Sequence, residues 1–340
     1  MDEFRYLAIL LFQIADTWVW GLLAAGLFLA VFRLQQIKRR AKRKITRLVL
    51  TGNSLLLGII AIFLGSSVVY QFWYTHRPVP TASQQTLFEG VTYKRDVRTV
   101  PRPLVIHVIE IDLTNDGVHF FVTPGAIGQE HPLQARTTSQ FLQEFDLQIA
   151  INGDFFVPWW SNGIFNYYPH DGDPVSISGL ASSEGITYSP NAANHPTLFI
   201  SQQNEAQFTA TDSAVFNAIS GNLIFIESGK PIIPGGDYHR DLHPRTAIAL
   251  NQDGTKLLLI VVDGRQPNYS EGVSMFELAE IALGYNGYTA LNLDGGGSTT
   301  LVMEGENGQP ILLNSPIDQR IPGRERPVAN HLGLYAARIK

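Results

Sequence analysis

Two long and nearly uncharged runs open the chain, and they decide what the rest of it can be. Residues 6–32, YLAILLFQIADTWVWGLLAAGLFLAVF, hold one charge, Asp16, and residues 48–70, LVLTGNSLLLGIIAIFLGSSVVY, hold none. A span needs about 20 apolar residues, so both runs are long enough to cross a bilayer. Between them, residues 33–47 carry eight Lys/Arg and no acid. Short basic loops stay cytoplasmic. The pattern predicts a two-span hairpin anchor over residues 1–70, with everything beyond it displayed on the extracytoplasmic side. A cleaved signal peptide fits less well, because the first run is long and its cations follow it rather than precede it. Asp16 is read as facing a partner helix or the interface, the alternative being a functional intramembrane acid.

The charge balance has the same shape. Residues 1–80 carry ten Lys/Arg and three Asp/Glu, while residues 81–340 carry fifteen and twenty-seven. A basic front on an acidic body fits an anchor joined to a globular domain, and the acidic body argues against a nucleic-acid partner, whose phosphate backbone needs a basic surface. The chain has no cysteine, which rules out disulfides, thiolate metal sites and a Cys nucleophile. Residues 71–86, QFWYTHRPVPTASQQT, read as a linker, leaving 87–340 as the working domain.

That domain reads as α+β, strand-rich with mixed or antiparallel sheets and a few helices. LVIHVIEIDL (104–113) and VHFFVTP (118–124) are strands, with Asn115-Asp116-Gly117 between them as a hairpin signal. RTAIALNQDGTKLLLIVVDG (245–264) is a hairpin, and QIAIN (148–152), TALNL (289–293) and HLGLYAA (331–337) are further strands. TTSQFLQEFD (137–146) has helical spacing. SMFELAEIALGYNG (274–287) is a helix opened by a Ser274/Glu277 capping box. Residues 157–196 have loop character and are long enough to be functional.

Polar residues collect where the strands end: Asn152 and Asp154, Arg245, Asp263 and Arg265, Asn292 and Asp294. Loops at strand ends are where sites are built, and this set suits a polar, anionic, hydroxyl-rich ligand, because arginine grips phosphate with two parallel bonds. Singly, each has a plainer reading: Asp-Gly makes turns, arginines pair with surface acids, and Glu277 caps its helix. After Asp294 the chain reads Gly295-Gly296-Gly297-Ser298. No Lys follows, so this is not a Walker loop. Glycines let a ligand approach the backbone and leave N–H groups to cradle an anion. Asp171-Gly172-Asp173 opens like a calcium loop but lacks the rest of it. No cofactor is required by these residues; Ca²⁺ is the metal they could hold, and on the alternative phosphodiesterase reading the same carboxylates would bind Ca²⁺ or Mg²⁺.

The run VVDGRQPNYSEGVSMFELAEIALGYNGYTALNLDGGGSTTLV (261–302) resembles the core of the phosphodiester glycosidase family. AINGDFF (150–156), HPRTAIAL (243–250) and LNSPIDQRIPGRERPVANHLGLY (313–335) resemble its other elements, and the likeness covers about residues 87–338. It implies hydrolysis of a sugar joined through its anomeric carbon to a phosphate. It also implies that Asn152, Asp154, Arg245, Asp263, Arg265, Asn292 and Asp294 fall in the cleft, with Glu271 and Glu277 less firmly placed. A phosphate leaving group needs charge stabilisation rather than a proton. Asp294 or Asp263 is therefore expected as nucleophile or base. Arg245, Arg265 and the Gly295–Gly297 backbone, followed by Ser298, are expected to hold the phosphate. Asn152, Asp154 and Asn292 are expected to hold sugar hydroxyls, with Phe155, Phe156, Trp159 and Trp160 available for stacking. A metal-dependent phosphodiesterase and a non-catalytic glycan- or cell-wall-binding module are the two other classes the residues allow.

Overall fold

The computed structural model describes residues 17–163, 166–190, 194–209 and 215–339. Asp16 and the first part of the earlier apolar run lie outside the described residues. The chain divides into two compact units, Met1–Pro78 and Val79–Lys340.

The first unit contains two helices, α1 (Thr17–Arg40) and α2 (Lys44–Thr75), packed against each other. Both are long and apolar enough to cross a membrane, with mean hydropathy 1.5 and 2.2. The basic loop expected over 33–47 is mostly helix. Gln, Lys and Arg are good helix formers, so α1 runs on to Arg40 and α2 starts at Lys44. Lys38, Arg39 and Arg40 fill the last turn of α1, where cations meet the negative end of the helix dipole. The linker expected over 71–86 is also shorter. α2 runs through the aromatic residues 72–74 to Thr75, close to Pro78, and a strand already begins at Ser83.

In the second unit two antiparallel sheets stack face to face. The larger has eight strands. In chain order they are β1 (Ser83–Phe88), β2 (Val91–Arg98) and β3 (Leu104–Asp112), then, after the first two strands of the other sheet, β6 (Leu223–Glu227), β7 (Lys230–Pro231), β8 (Arg245–Leu250), β9 (Lys256–Val262) and β10 (Thr289–Asn292). Their spatial order is β1-β2-β3-β9-β8-β10-β6-β7. The second sheet contains β4 (Val118–Val122), β5 (Ile149–Asn152), β11 (Leu301–Glu304), β12 (Pro310–Leu312) and β13 (His331–Ala336), ordered β12-β11-β5-β13-β4. Two helices close the outer faces: α3 (Thr138–Glu144) and α4 (Met275–Gly284). Smaller sheets, formed by short strands between residues 133 and 220, surround one end.

The near-continuous apolar runs of β8 and β9 follow from this layering, because both faces of their sheet are covered. Ile248, Leu250, Leu257, Leu259 and Val261 join Ile149, Ile151, Leu332 and Leu334 in the core between the sheets. Their neighbours Ala247, Ala249, Leu258, Ile260 and Val262 turn to the other face and pack on Met275, Leu278 and Ile281 of α4. The hairpin expected across Asn115–Gly117 does not form. β3 pairs with β2 and β9, while β4 pairs with β13 in the other sheet. Asn115 Oδ1 accepts the Gly117 amide at 2.8 Å, and this Asx turn carries the chain between layers instead of folding it back.

Candidate active site

The two sheets meet at one end, where β5 and β10 terminate and β8 starts. Asn152 sits at this seam, fully buried. Its Nδ2 donates to the Asp294 carbonyl at 2.7 Å, while its Oδ1 accepts Thr246 Oγ1 at 2.8 Å and the Thr300 amide at 3.1 Å. The Asp294 amide donates to the Gly153 carbonyl at 3.0 Å. Both main-chain polar groups of Asp294 are thus tied across the seam, leaving its side chain facing outward.

That side chain lines a cleft of about 510 Å³ with Phe155, Phe156, Trp159, His243 and the guanidiniums of Arg245, Arg265, Arg320 and Arg326. Asp294 Oδ1 accepts the Gly295 amide at 2.8 Å, and Oδ2 accepts Ser298 Oγ at 2.6 Å. Burial pushes its pKa up, opposed by Arg326, the Ser298 hydroxyl, the Gly295 amide and Arg265. Such a carboxylate is more basic than an ordinary aspartate and is held in one orientation. Arg326 Nη1 donates to Ser298 Oγ at 3.1 Å, and its Nε donates to Asp318 Oδ1 at 2.8 Å. Arg326 also lies 5.1 Å from the ring centre of the half-exposed Trp159. Arg245, almost fully buried, donates to the carbonyls of Val273 and Asp241, both at 3.3 Å.

The glycine run serves these arginines. It does not form the expected backbone anion nest, because the Gly295 amide is turned to Asp294 and the Gly296 amide to the Pro244 carbonyl. What the glycines supply is missing side-chain volume. A Cβ on Gly296 would stand 3.0 Å from Arg265 Nη2, and one on Gly297 would collide with Arg326 Nη2. Gly296 also has φ of 63°, where a Cβ is disfavoured. Three other residues lining the cleft, Arg265, Gln319 and Arg320, have φ of 58°, 50° and 61°. Left-handed backbone at non-glycine residues costs on the order of 1 kcal/mol each and concentrates at functional sites.

The phosphodiester glycosidase family model matches residues 145–335, more than half of the chain. The chain belongs to the phosphodiester glycosidase family. The N-acetylglucosamine-1-phosphodiester alpha-N-acetylglucosaminidase of Homo sapiens is 26% identical over 198 residues, covering 54% of this chain and 37% of the human protein. A SPbeta prophage-derived protein of Bacillus subtilis, YomE, is 41% identical over 93 residues, covering 26% of this chain and 14% of its own length. The chain therefore spans well under half of these relatives. The zebrafish N-acetylglucosamine-1-phosphodiester alpha-N-acetylglucosaminidase catalytic domain, auto-inhibited by its pro-peptide, shares the fold at a TM-score of 0.53 and 19% identity, covering 78% of this chain and 86% of that one. A hypothetical protein from Synechocystis does so at 0.57 and 15%, covering 76% and 64%.

Several family-motif residues sit behind the cleft wall instead of lining it. Asp263, 1% exposed, accepts the Ser315 amide at 2.8 Å and Asn314 Nδ2 at 3.1 Å on Oδ1. Its Oδ2 lies 3.2 Å from His107 Nε2, whose Nδ1 is 2.7 Å from the Tyr93 hydroxyl. Asn292 Nδ2 donates to Asn222 Oδ1 at 2.7 Å. Ser298 reaches the site only through Asp294 and Arg326. Glu277 completes the capping box of α4 and receives Arg102 Nη2 at 2.6 Å. The Glu271 carbonyl accepts the Arg265 amide at 3.2 Å. Trp160 stacks on Tyr168 at 4.6 Å, away from the cleft lining.

His243 lines the cleft, although the sequence offered no reason to prefer it over a surface histidine. Arg265 Nη2 lies 3.3 Å from His243 Nδ1. A guanidinium only donates, so Nδ1 accepts and the hydrogen rests on Nε2. Burial, then Arg265 and Arg245, hold the imidazole pKa below its usual value, which keeps it neutral. His239 lies four residues before it, but among the described residues no three His, Asp or Glu side chains converge as metal ligands.

Asp154 is fully buried. Its Oδ1 accepts the Phe155 amide at 2.7 Å. Burial raises its pKa to about 7, with Asp294 adding to the rise and the Phe155 and Gly179 amides opposing it. Folded protein therefore retains a proton that the unfolded chain releases near pH 4. Stability is full below that pH and falls as pH rises through 7, by at most about 4 kcal/mol. Asp154→Asn removes the charge. Its thermal midpoint at pH 8.5 is expected to exceed wild type by roughly 5–10 °C, with the gap narrowing as pH falls and closing near pH 4. Equal midpoints at both pH values would show that Asp154 ionises freely.

Proposed function

We propose that the chain is a membrane-anchored extracytoplasmic hydrolase that cleaves the anomeric C–O bond of a sugar-1-phosphodiester, releasing free sugar and a phosphomonoester. One observation carries the reading: Asp294 is the one carboxylate among the described cleft residues, and it faces four guanidiniums. Ordinary glycosidases use two carboxyl groups because an alkoxide leaves poorly without a proton. A phosphate leaves as an anion and needs only fixed positive charge.

In this reading Asp294 meets the anomeric carbon, either attacking it or taking a proton from the water that does. Water oxygen ends on C1, and the electron pair of the broken C1–O bond stays on the phosphate. Arg265 and Arg245 receive that charge, while neutral His243 holds the Arg265 fork in place. Asn152, Asp263 and Asn292 position the strand ends, and Phe155, Phe156 and Trp159 enclose the substrate. The chemistry requires no cofactor. α1 and α2 act as the anchor, and the cations at their junction favour a cytoplasmic position for residues 41–43.

The test uses full-length protein in detergent, a panel of sugar-1-phosphodiesters and ¹⁸O-labelled water, with and without chelator. Label in the free sugar is expected, unaffected by chelator. Label in the phosphate would instead mean P–O cleavage, and loss of turnover with chelator would point to a metal-dependent phosphodiesterase.

A further inference from the structure

Asp294 and Arg326 line one cleft yet do not pair directly. Among the described residues the carboxylate that pairs with the Arg326 guanidinium is Asp318, whose Oδ1 lies 2.8 Å from Nε. Between Arg326 and Asp294 stands the Ser298 hydroxyl. Arg326 Nη1 is 3.1 Å from Ser298 Oγ, and Ser298 Oγ is 2.6 Å from Asp294 Oδ2. A guanidinium only donates and a carboxylate only accepts. The single hydroxyl hydrogen of Ser298 therefore points to Asp294, and its oxygen takes the hydrogen of Arg326. Ser298 and Asp318 are both buried. The backbone preserves this order. The Asp318 amide donates to the Arg324 carbonyl at 3.0 Å, and the Asp318 carbonyl accepts the Ile321 amide at 2.8 Å. Asp318 Oδ2 lies 3.3 Å from Arg324 Nε. A Cβ on Gly297 would collide with Arg326 Nη2 and stand 2.8 Å from Asp318 Oδ1, so that glycine makes room for the ion pair immediately before Ser298.

From this geometry we infer that Ser298 and Asp318 are positioning residues for Asp294: Asp318 holds Arg326 off the carboxylate, and Ser298 passes the guanidinium's influence on as one directed hydrogen bond. The inference rests on the hydrolase reading above and deepens it. A guanidinium paired directly would occupy both carboxylate oxygens and leave Asp294 a poor base or nucleophile. The serine link takes one acceptor site on Oδ2 and leaves that oxygen a second. Arg326 and the Ser298 hydroxyl both oppose the rise that burial imposes on the Asp294 pKa. Arg265 does the same from beyond the end of β9, and Asp154, beyond the end of β5, is coupled to Asp294 by charge. His243, Arg245 and Arg320 line the same cleft. All of these groups stay in place in the two variants below.

The test asks whether two variants move Asp294 in opposite directions, using full-length protein in detergent at about 0.1 M salt. Ser298→Ala removes a hydrogen bond to the charged carboxylate, so Asp294 should take up its proton about one pH unit higher than in wild type. Asp318→Asn removes the anion that answers Arg326, so Asp294 should take up its proton about half a unit lower. Two readouts follow the shift. One is the acid limb of kcat/KM on a sugar-1-phosphate methyl ester. The other needs no substrate: ¹³C NMR titration of protein labelled at aspartate Cγ, with the Asp294 resonance assigned by its loss in Asp294→Asn. In Ser298→Ala at neutral pH, kcat should fall about tenfold while KM stays within about threefold of wild type. A merely structural role would lower the thermal midpoint without moving the titration. An unmoved titration in Ser298→Ala overturns the inference whether or not Asp318→Asn folds, and so do shifts of the same sign in both variants. Either result, with turnover present, leaves the hydrolase reading intact. No turnover of any sugar-1-phosphodiester, with opposite shifts seen by NMR, defeats the hydrolase reading and leaves the positioning roles of Ser298 and Asp318.

Discussion

Asp294→Asn is expected to lower kcat by at least about 10³-fold, the scale on which a positioned carboxylate contributes to catalysis. The substitution keeps the side chain's shape, and its Oδ1 still accepts the Gly295 amide. The main-chain ties of Asp294 to Asn152 and Gly153 are untouched. KM should therefore change little, and circular dichroism and the thermal midpoint should match wild type. In the wild-type enzyme, the acid limb of kcat/KM should lie above the usual carboxylate range near pH 4, because burial raises the Asp294 pKa. Activity is lost as pH falls through that limb, when the carboxylate takes up a proton. A purified variant retaining more than a tenth of the wild-type rate would remove Asp294 from the reaction.

Arg265→Ala is the second large effect, about 10²–10³-fold in kcat, the range seen when a donor to a developing anion is deleted. Arg265→Lys should recover less than a tenth of that loss. An ammonium cannot present two parallel donors, and it gives up the contact with His243 Nδ1. A pH effect should accompany the rate loss. Arg265 is one of the groups lowering the Asp294 pKa, so without it the acid limb moves to higher pH. Full recovery by lysine, or an unmoved limb, would show that Arg265 contributes only bulk positive charge.

The layered fold was legible in particular stretches. From Ala247 to Leu250 in β8 and from Leu257 to Val262 in β9 every side chain is apolar because alternate residues enter different cores, and the QDG between the strands left a hairpin as the only arrangement. The strand-end polar residues were legible as a group but not in their roles. A buried strand end leaves main-chain donors and acceptors without sheet partners, and Asn or Asp supplies them. Asn152 does this for Thr300 and Asp294, and Asp263 does it for Ser315. A ligand-binding amide and a structural one look identical in sequence. Arg320 and Arg326 lie in a Pro- and Gly-containing stretch whose path no periodicity predicts. Arg320, Arg324 and Arg326 fall within seven residues of a chain with only 25 Lys/Arg among 340. That local density was the available signal.

The reacting carboxylate is fastened by its own main chain to the seam of two sheets, whereas Trp159 sits between two short peripheral strands. Mutational drift can therefore act on these two parts separately. Descendants of such a chain can lengthen, shorten or exchange the peripheral strands, and so change which molecules are accepted, while Asp294 keeps its place. New specificities are then reached by small steps from an enzyme that still works.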